Sequence, residues 1–208
     1  EYAGNLIFAL FADNYNARSE TAGAPSVSSG TPGGLGYTLS GTEVLAFDRP
    51  PRLDTGHGTL IFGYTPTGAA GSNSKLVVTS DNNFQLYRSG TANDRIIFKI
   101  NGATSGASDL DLIEDIFSAT PNQFNLGCTW DEDANEVTAQ ILGQAKVSSS
   151  MVFTSDNADT NNLHFLNRAD GLRNVNGRLR FALMFDSVLP DSAIKSLQLD
   201  QQAVIRLS

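Results

Sequence analysis

The sequence is poor in the residues that support disulfide and thiolate chemistry. Its 208 residues include one cysteine, Cys128, and two histidines. An internal disulfide and a thiolate-bound metal cluster are therefore excluded. The histidines, His57 and His164, lie far apart in the chain and lack metal-ligand spacing, so a structural role is expected for both.

Other familiar signals are also missing. No apolar run approaches the roughly 20 residues that span a bilayer, and no membrane partner is predicted. Neither a Gly-X-Ser-X-Gly elbow nor a phosphate-binding glycine loop is present. Basic residues are scarce: 14 Lys and Arg stand against 22 Asp and Glu, for a net charge of −8. Nucleic acid, which needs a basic face, is excluded as a partner on that ground.

Short alternating segments, separated by turns rich in Gly, Asn and Asp, predict an all-β protein. In one segment Leu60, Phe62 and Tyr64 share a face, and 124–130 alternates in the same way, with Cys128 among its apolar residues. Some ten such segments follow one another without helices between them. This pattern favours a single antiparallel β-sandwich over residues 1–208.

The two ends of the sequence differ from this pattern. Residues 5–11 form a continuous apolar run, which predicts a strand buried on both faces. Residues 16–35 are rich in Ser, Gly and Pro and are expected to form an extended loop, so we divide the domain into an N-terminal strand and loop, 1–35, and a sandwich core, 36–208. Because the chain begins at Glu1 without a Met, it is expected to be part of a longer chain or assembly.

Residues 177–197 change periodicity halfway. The apolar residues Leu179, Phe181, Leu183 and Phe185 alternate, which predicts one common face of a strand. After Pro190 the apolar spacing becomes helical, and proline suits a helix entrance. We expect a short C-terminal helix of about nine residues, too short to persist alone and therefore packed on the rim of the sandwich.

The order of these segments resembles a known family. GTLIFGYTP, KLVVTSDNNFQLYRS, DRIIFKING, FNLGCTWDEDANEVTAQILG and LHFLNRADGLRNVNGRLRFALMFDSVLPDSAIKSL follow one another over about residues 36–198. This series is similar to the laminin-G-like branch of the concanavalin A-like lectin/glucanase superfamily, in particular to domains of tailed-phage virion proteins. The resemblance implies an antiparallel jelly-roll sandwich that binds glycans or proteins through its loops or its concave sheet.

The same resemblance raises the possibility of glycan hydrolysis, since the glucanase relatives use a Glu-X-Asp-X-X-Glu strand. Asp109, Asp111 and Glu114 stand at that spacing here. However, Asp replaces the first Glu and the flanking segment has the composition of a loop. A solvated acidic loop or short helix is the favoured interpretation, and we predict no enzymatic activity.

The segment 131–136, DEDANE, supplies oxygen atoms of the kind that bind calcium. Asp131, Asp133 and Glu136 are the candidate ligands, although the segment lacks the glycine and distal glutamate of an EF-hand loop. A tight turn explains the same residues, and no other cofactor is predicted.

Polar and aromatic residues near predicted strand ends are suited to hydrogen bonding and stacking with a sugar, and loops usually carry such groups. The candidate glycan-binding residues are Tyr64, Asn82, Tyr87, Arg88, Asn161, Asn162, Arg168, Asp170 and Arg173.

The sequence as a whole favours a non-catalytic structural or adhesion module, exposed on a phage or phage-like particle and binding host surface glycans. Its location would be the virion or the extracellular space. Its partners would be other virion or surface proteins, and a homo-oligomer is expected because virion parts are repeated by symmetry. A carbohydrate-binding module of a secreted bacterial protein and a glycan hydrolase are the alternatives.

Overall fold

A computed structural model describes residues 5–11, 16–19, 26–27, 31–33, 36–38, 45–53, 56–66, 74–79, 84–89, 95–100, 108–113, 124–150, 162–167 and 177–200. These ranges contain sixteen β-strands and one α-helix. In chain order the elements are β1 (Leu6–Phe11), β2 (Asn16–Ser19), β3 (Ser26–Val27), β4 (Thr31–Gly33), β5 (Gly36–Thr38), β6 (Leu45–Phe47), β7 (His57–Pro66), β8 (Ser74–Thr79), β9 (Phe84–Ser89), β10 (Arg95–Ile100), β11 (Ser108–Ile113), β12 (Phe124–Asp131), β13 (Glu136–Ile141), β14 (Val147–Ser150), β15 (Leu163–Phe165), β16 (Gly177–Phe185) and α1 (Asp191–Leu199).

The strands form two antiparallel sheets, which confirms the predicted β-sandwich. Sheet A has nine strands in the order β14-β13-β12-β7-β16-β1-β2, with β5 paired to β16 and β4 paired to β5. Sheet B has seven strands in the order β11-β10-β9-β8-β15-β6-β3. The single helix comes after the last described strand, as the sequence predicted.

The main apolar core lies between the two sheets. Strand β12 contributes Phe124, Leu126, Cys128 and Trp130, the alternating set that the sequence indicated. The Trp130 ring packs edge-on against Phe84 of sheet B, with 5.0 Å between ring centroids. The alternating apolar residues of β12 therefore lie on the inner face of sheet A.

Strand β1 is an interior strand of sheet A, between β16 and β2. Phe8 packs in the main core, 5.4 Å from the ring of Phe165, while Ala9 belongs to a second cluster on the other face. The predicted burial of this strand on both faces is confirmed.

The predicted loop at 16–35 instead contains three short strands, β2, β3 and β4. Strand β2 ends the order of sheet A and β3 ends that of sheet B. Strands of two to four residues are too short to display an apolar period, which is why the composition indicated a loop.

Strand β16 contains an irregularity that moves its side chains from one face to the other. Leu179 pairs with Tyr64, but the next registered pair is Phe181 with Gly63, so Arg180 is the extra residue. Leu179 therefore packs in the main core, whereas Phe181 and the alternate residues after it lie on the outer face of sheet A. The predicted common face was wrong for Leu179, because a bulge shifts the alternation by one residue.

Helix α1 begins after Pro190, whose φ of −66° suits a helix entrance. The carbonyl of Pro190 accepts the backbone N–H groups of Ala193 and Ile194 at 2.9 and 3.1 Å. The helix lies across the outer face of sheet A rather than on the rim, which corrects the predicted position. Its Ile194 and Leu197 complete the second apolar cluster.

Polar contacts fix the helix to the sheet beneath it. The buried Gln198 side chain donates to the backbone carbonyls of Asn125 and Gln140 at 3.1 and 2.9 Å, and Asn125 donates to the carbonyl of Gln198. Arg180 donates to the carbonyl of Phe124 at 2.7 Å. Among the described residues, no helix has both the length and the hydropathy to cross a membrane.

Candidate functional site

The outer face of sheet B is the first candidate site. Along β9, Phe84 and Leu86 belong to the core, so the alternate residues, Gln85 and Tyr87, point to the opposite face. The same alternation applies to β10, β15 and β6. The described outer-face residues are Ala46, Gln85, Tyr87, Ile97, Lys99 and His164.

The register of the strands aligns these residues in two rows. His164 pairs with Ala46 on one side and with Val78 on the other, and Val78 pairs with Gln85, which pairs with Lys99. In the second row Tyr87 pairs with Ile97. Since neighbouring strands are about 4.8 Å apart, a ligand of two or three sugar rings could contact several of these positions at once.

The outer face of sheet B combines polar groups with the apolar Ala46 and Ile97, and most of its described side chains are buried. Gln85, Tyr87 and His164 are 7%, 8% and 5% exposed, whereas Lys99 is half-buried. These four residues belong to neither apolar cluster. Burial lowers the pKa of His164, so its imidazole is neutral at pH 7 and can both donate and accept a hydrogen bond.

Strand β11 continues the register of this face at the edge of sheet B. Asp109 pairs with Lys99, and Asp111 pairs with Ile97. The predicted acidic loop or short helix is therefore wrong, because 108–113 forms a strand. Glu114, the third carboxylate of the hydrolase hypothesis, lies outside the described residues.

The predicted glycan-binding residues fall in different parts of the fold. Tyr87 lies on the outer face of sheet B, and Asn162 is exposed just before β15. Tyr64 and Arg88 are fully buried, and Tyr64 packs 5.4 Å from Phe124 in the core. The assignment of Tyr64 and Arg88 as glycan-binding residues is therefore corrected. Both alternate with outward-facing residues of their strands, so both side chains point into the core. The remaining predicted residues, Asn82, Asn161, Arg168, Asp170 and Arg173, lie outside the described residues.

Sequence reasoning missed that Gln85, Lys99 and His164 share the outer face of sheet B with Tyr87. The signal was present in the alternation of FQLYRS and RIIFKI, since the residues between the core positions must face outward. What the sequence could not supply was the register that places these outward residues beside one another.

A second candidate site lies on the rim where β7 begins and β12 ends. His57 Nε2 is 3.6 Å from Asp131 Oδ1 and 3.3 Å from Asp133 Oδ2. Ligand atoms of these three side chains all lie within 4.8 Å of one another. The set shares Asp131 and Asp133 with the predicted calcium site but contains His57 rather than Glu136.

The backbone holds this rim cluster in place. His57 and Asp131 are register partners on adjacent strands, and the N–H of Glu132 donates to the carbonyl of Gly56 at 2.8 Å. Asp133 lies in the turn between β12 and β13, where Asn135 adopts a φ of 50°. The turn explanation of DEDANE is thus confirmed, and the turn also brings two carboxylates to one imidazole.

The cysteine offers no chemistry in the folded protein. Cys128 is fully buried between the sheets, and burial raises the pKa of its thiol far above the ordinary range. A thiol that stays protonated is a poor nucleophile and metal ligand.

No known protein-family model matches the chain, and no curated protein is similar to it in sequence. Solved structures are similar in fold. Domain 4 of AbnA, a GH43 extracellular arabinanase from Geobacillus stearothermophilus solved with arabinotriose, has a TM-score of 0.67 and 15% identity, covering 93% of this chain and 98% of that domain. The CBM40 module of a Ruminococcus gnavus IT-sialidase, bound to α2,3-sialyllactose, has a TM-score of 0.59 and 16% identity, covering 78% of this chain and 95% of that module.

A toxin domain shares the fold as well. The binding domain of botulinum neurotoxin DC, in complex with rat synaptotagmin II, has a TM-score of 0.67 and 14% identity. The match covers 97% of this chain and 53% of the toxin domain. At these identities the likenesses establish the fold alone, which is the antiparallel β-sandwich that the sequence resemblance implied.

Proposed function

We propose that this chain is a non-catalytic glycan-binding module whose binding surface is the outer face of sheet B. The observation that carries the proposal is the row of hydrogen-bonding side chains on that face, with Tyr87 beside it. Gln85, Tyr87, Lys99 and His164 each have contacts within the chain. What favours a ligand here is that their donors and acceptors lie on one face of the sheet, outside both apolar clusters.

The chemistry of this face suits sugar hydroxyls, each of which donates and accepts. Gln85 offers both a carbonyl and an amide, and the neutral His164 offers a donor and an acceptor nitrogen. Tyr87 provides a ring with a hydroxyl, and Lys99 provides a charged donor, which forms stronger hydrogen bonds than a neutral one.

The solved relatives support this proposal. Two of them, the sialidase module and the arabinanase domain, were solved in complex with oligosaccharides, and the match covers nearly the whole length of each. The acidic net charge of this chain agrees with a ligand held by hydrogen bonds rather than by a basic surface.

Titration with defined oligosaccharides tests the proposal. A glycan array, followed by calorimetry with sialyllactose and arabinotriose, should identify a ligand. Lys99→Gln should weaken its binding by about tenfold, as expected for loss of one charge-assisted hydrogen bond. Lys195→Gln, which changes an exposed lysine of α1 over the other sheet, is the matched control and should leave binding unchanged. No binding across the array, or equal loss in both variants, would contradict the proposed site.

For the biological setting, we propose display on a phage or phage-like particle, where the module would meet other virion proteins and repeat by symmetry. This rests on the sequence resemblance. Immunogold labelling of purified particles tests it, and label found only in the particle-free culture medium would refute it.

A carbohydrate-binding module of a secreted bacterial protein is the second candidate. It is favoured by the likeness in fold to the module of a sialidase and the domain of an extracellular arabinanase, each of which the match covers almost completely. Label in the medium, attached to a longer chain, would support this candidate.

The non-catalytic part of the proposal has its own test. Incubation of concentrated protein with β-glucans should release no reducing sugar. Release that disappears in Glu114→Gln would establish a hydrolase instead.

A further inference from the structure

We propose that His57, Asp131 and Asp133 form a binding site for a divalent transition-metal ion, and that Zn²⁺ fits it best. These residues form a cluster on the rim, outside the proposed glycan-binding face. The donor set is one imidazole nitrogen and two carboxylate oxygens. Calcium prefers oxygen ligands alone, whereas imidazole suits zinc, copper and nickel.

The distances within the cluster are those expected between two ligands of one metal ion. Both carboxylates approach the same atom, His57 Nε2, at 3.6 and 3.3 Å. The 3.3 Å contact with Asp133 is a long hydrogen bond, and because one ring nitrogen carries one proton at most, Nε2 cannot donate fully to both carboxylates. Bonds of about 2.1 Å at tetrahedral angles place two ligands of one zinc ion about 3.4 Å apart.

The cluster is held by the fold and open to solvent. The sheet fixes His57 and Asp131 as register partners, and the Oδ1 atom of Asp131 is further oriented by the N–H of Ala134 at 3.2 Å. The three side chains are 35%, 30% and 91% exposed, in the order His57, Asp131, Asp133. An ion can therefore enter without unfolding, and water would complete its coordination.

Calorimetric titration with zinc chloride tests the site, using the full chain after dialysis against a chelator and removal of that chelator. We expect one ion per chain, and an increase in the unfolding temperature as zinc is added. His57→Ala and Asp133→Asn should each weaken binding at least tenfold. Asp133 is almost fully exposed, so its substitution leaves the fold intact and keeps the test valid if His57→Ala is unstable.

Two matched carboxylate variants serve as controls. Glu136→Gln removes the third predicted calcium ligand, and Asp191→Asn removes an exposed carboxylate that is paired with Lys146 at 3.1 Å. Zinc affinity should stay within twofold in both, and a large excess of calcium should not displace the ion. The proposal is overturned if the wild-type chain gives no heat of binding at zinc concentrations up to about 1 mM. Such a result would mean a Kd above about 1 mM, which is very weak binding. The proposal is equally overturned if zinc binds as tightly to both His57→Ala and Asp133→Asn, or if calcium displaces it.

Discussion

At the residue scale, glycines occur in β7 where a large aromatic ring of a neighbouring strand packs directly against the β7 backbone. A Cβ atom built on Gly58 would lie 2.2 Å from Cζ2 of Trp130, and one on Gly63 would lie 2.2 Å from the ring of Phe181. Both glycines belong to β7, which is the strand between β12 and β16. The absence of a side chain therefore gives each ring its space.

Gly58→Ala should destabilise the protein, because Trp130 cannot move without displacing Phe84 and Phe98, which surround it. We expect a loss of about 1–3 kcal/mol in the free energy of unfolding, as for other overpacked cores. Denaturant titration followed by the fluorescence of the single tryptophan measures both the loss and the displaced ring. Ser148→Ala, at an exposed position of β14, should change stability by less than about 0.5 kcal/mol.

Cys128 should be unreactive in the folded protein. Its burial excludes reagents and keeps the thiol protonated. A thiol-specific chromogenic reagent at about pH 8 should label no cysteine in native protein and one per chain in denaturant. Rapid labelling of the native chain would show that the two sheets open readily around β12.

At the scale of elements, α1 acts as a cover for one face of sheet A. Its Ile194 and Leu197 are 4% and 6% exposed, and a Cβ atom on Gly127 would lie 2.4 Å from Cγ2 of Ile194. The helix thus approaches the strand backbone closely. A helix of nine residues is stabilised mainly by such packing.

Ile194→Ala should lower the free energy of unfolding by about 2–4 kcal/mol, the usual cost of truncating a buried aliphatic residue. Leu199→Ala on the same helix is the matched control, because Leu199 is 72% exposed and should contribute little. Urea denaturation followed by circular dichroism compares the two variants. Equal stabilities would show that the helix does not cover an apolar face.

Alternation in the sequence predicted the inner faces of β7 and β12 correctly. It was wrong for Leu179 because Arg180 is the extra residue of a bulge in β16, and no local pattern marks that residue. The half-buried Arg180 donates to the Phe124 carbonyl, and burial lowers its pKa to about 10. The position of the bulge thus depends on contacts with β12, which the sequence of β16 alone does not contain.

At the scale of the whole molecule, the fold class follows from local patterns, but the sheet order and the short strands β2, β3 and β4 do not. β1 pairs with β16, and β7 pairs with both β12 and β16. These neighbours are far apart in the chain, so only the closed structure identifies them. The same limit applies to His57, which meets Asp131 only through cross-strand register. The inward positions of Tyr64 and Arg88, by contrast, follow from the alternation within their own strands.

Acid should destabilise the molecule through His164. Burial lowers the folded pKa of this imidazole below the unfolded value of about 6.5, so the unfolded state binds more protons in the interval between them. The stability that depends on the neutral ring is therefore complete above about pH 6.5 and decreases as the pH falls from there.

Denaturant titrations at about pH 7.5 and pH 5.5 measure this dependence. His164→Asn keeps hydrogen-bonding atoms but does not titrate, and its free energy of unfolding should change less between the two pH values than that of the wild type. An identical pH dependence in both proteins would contradict the assignment to His164.

The placement of β1 inside sheet A also affects how the protein is made. Asn5 and Ser187, which hydrogen-bond at 2.8 Å, are 182 residues apart. At synthesis rates of roughly 5–20 residues per second, β1 waits on the order of ten seconds or more before β16 leaves the ribosome. During that time the nascent chain exposes a segment that is apolar on both sides, so we expect it to depend on chaperones until translation has passed β16.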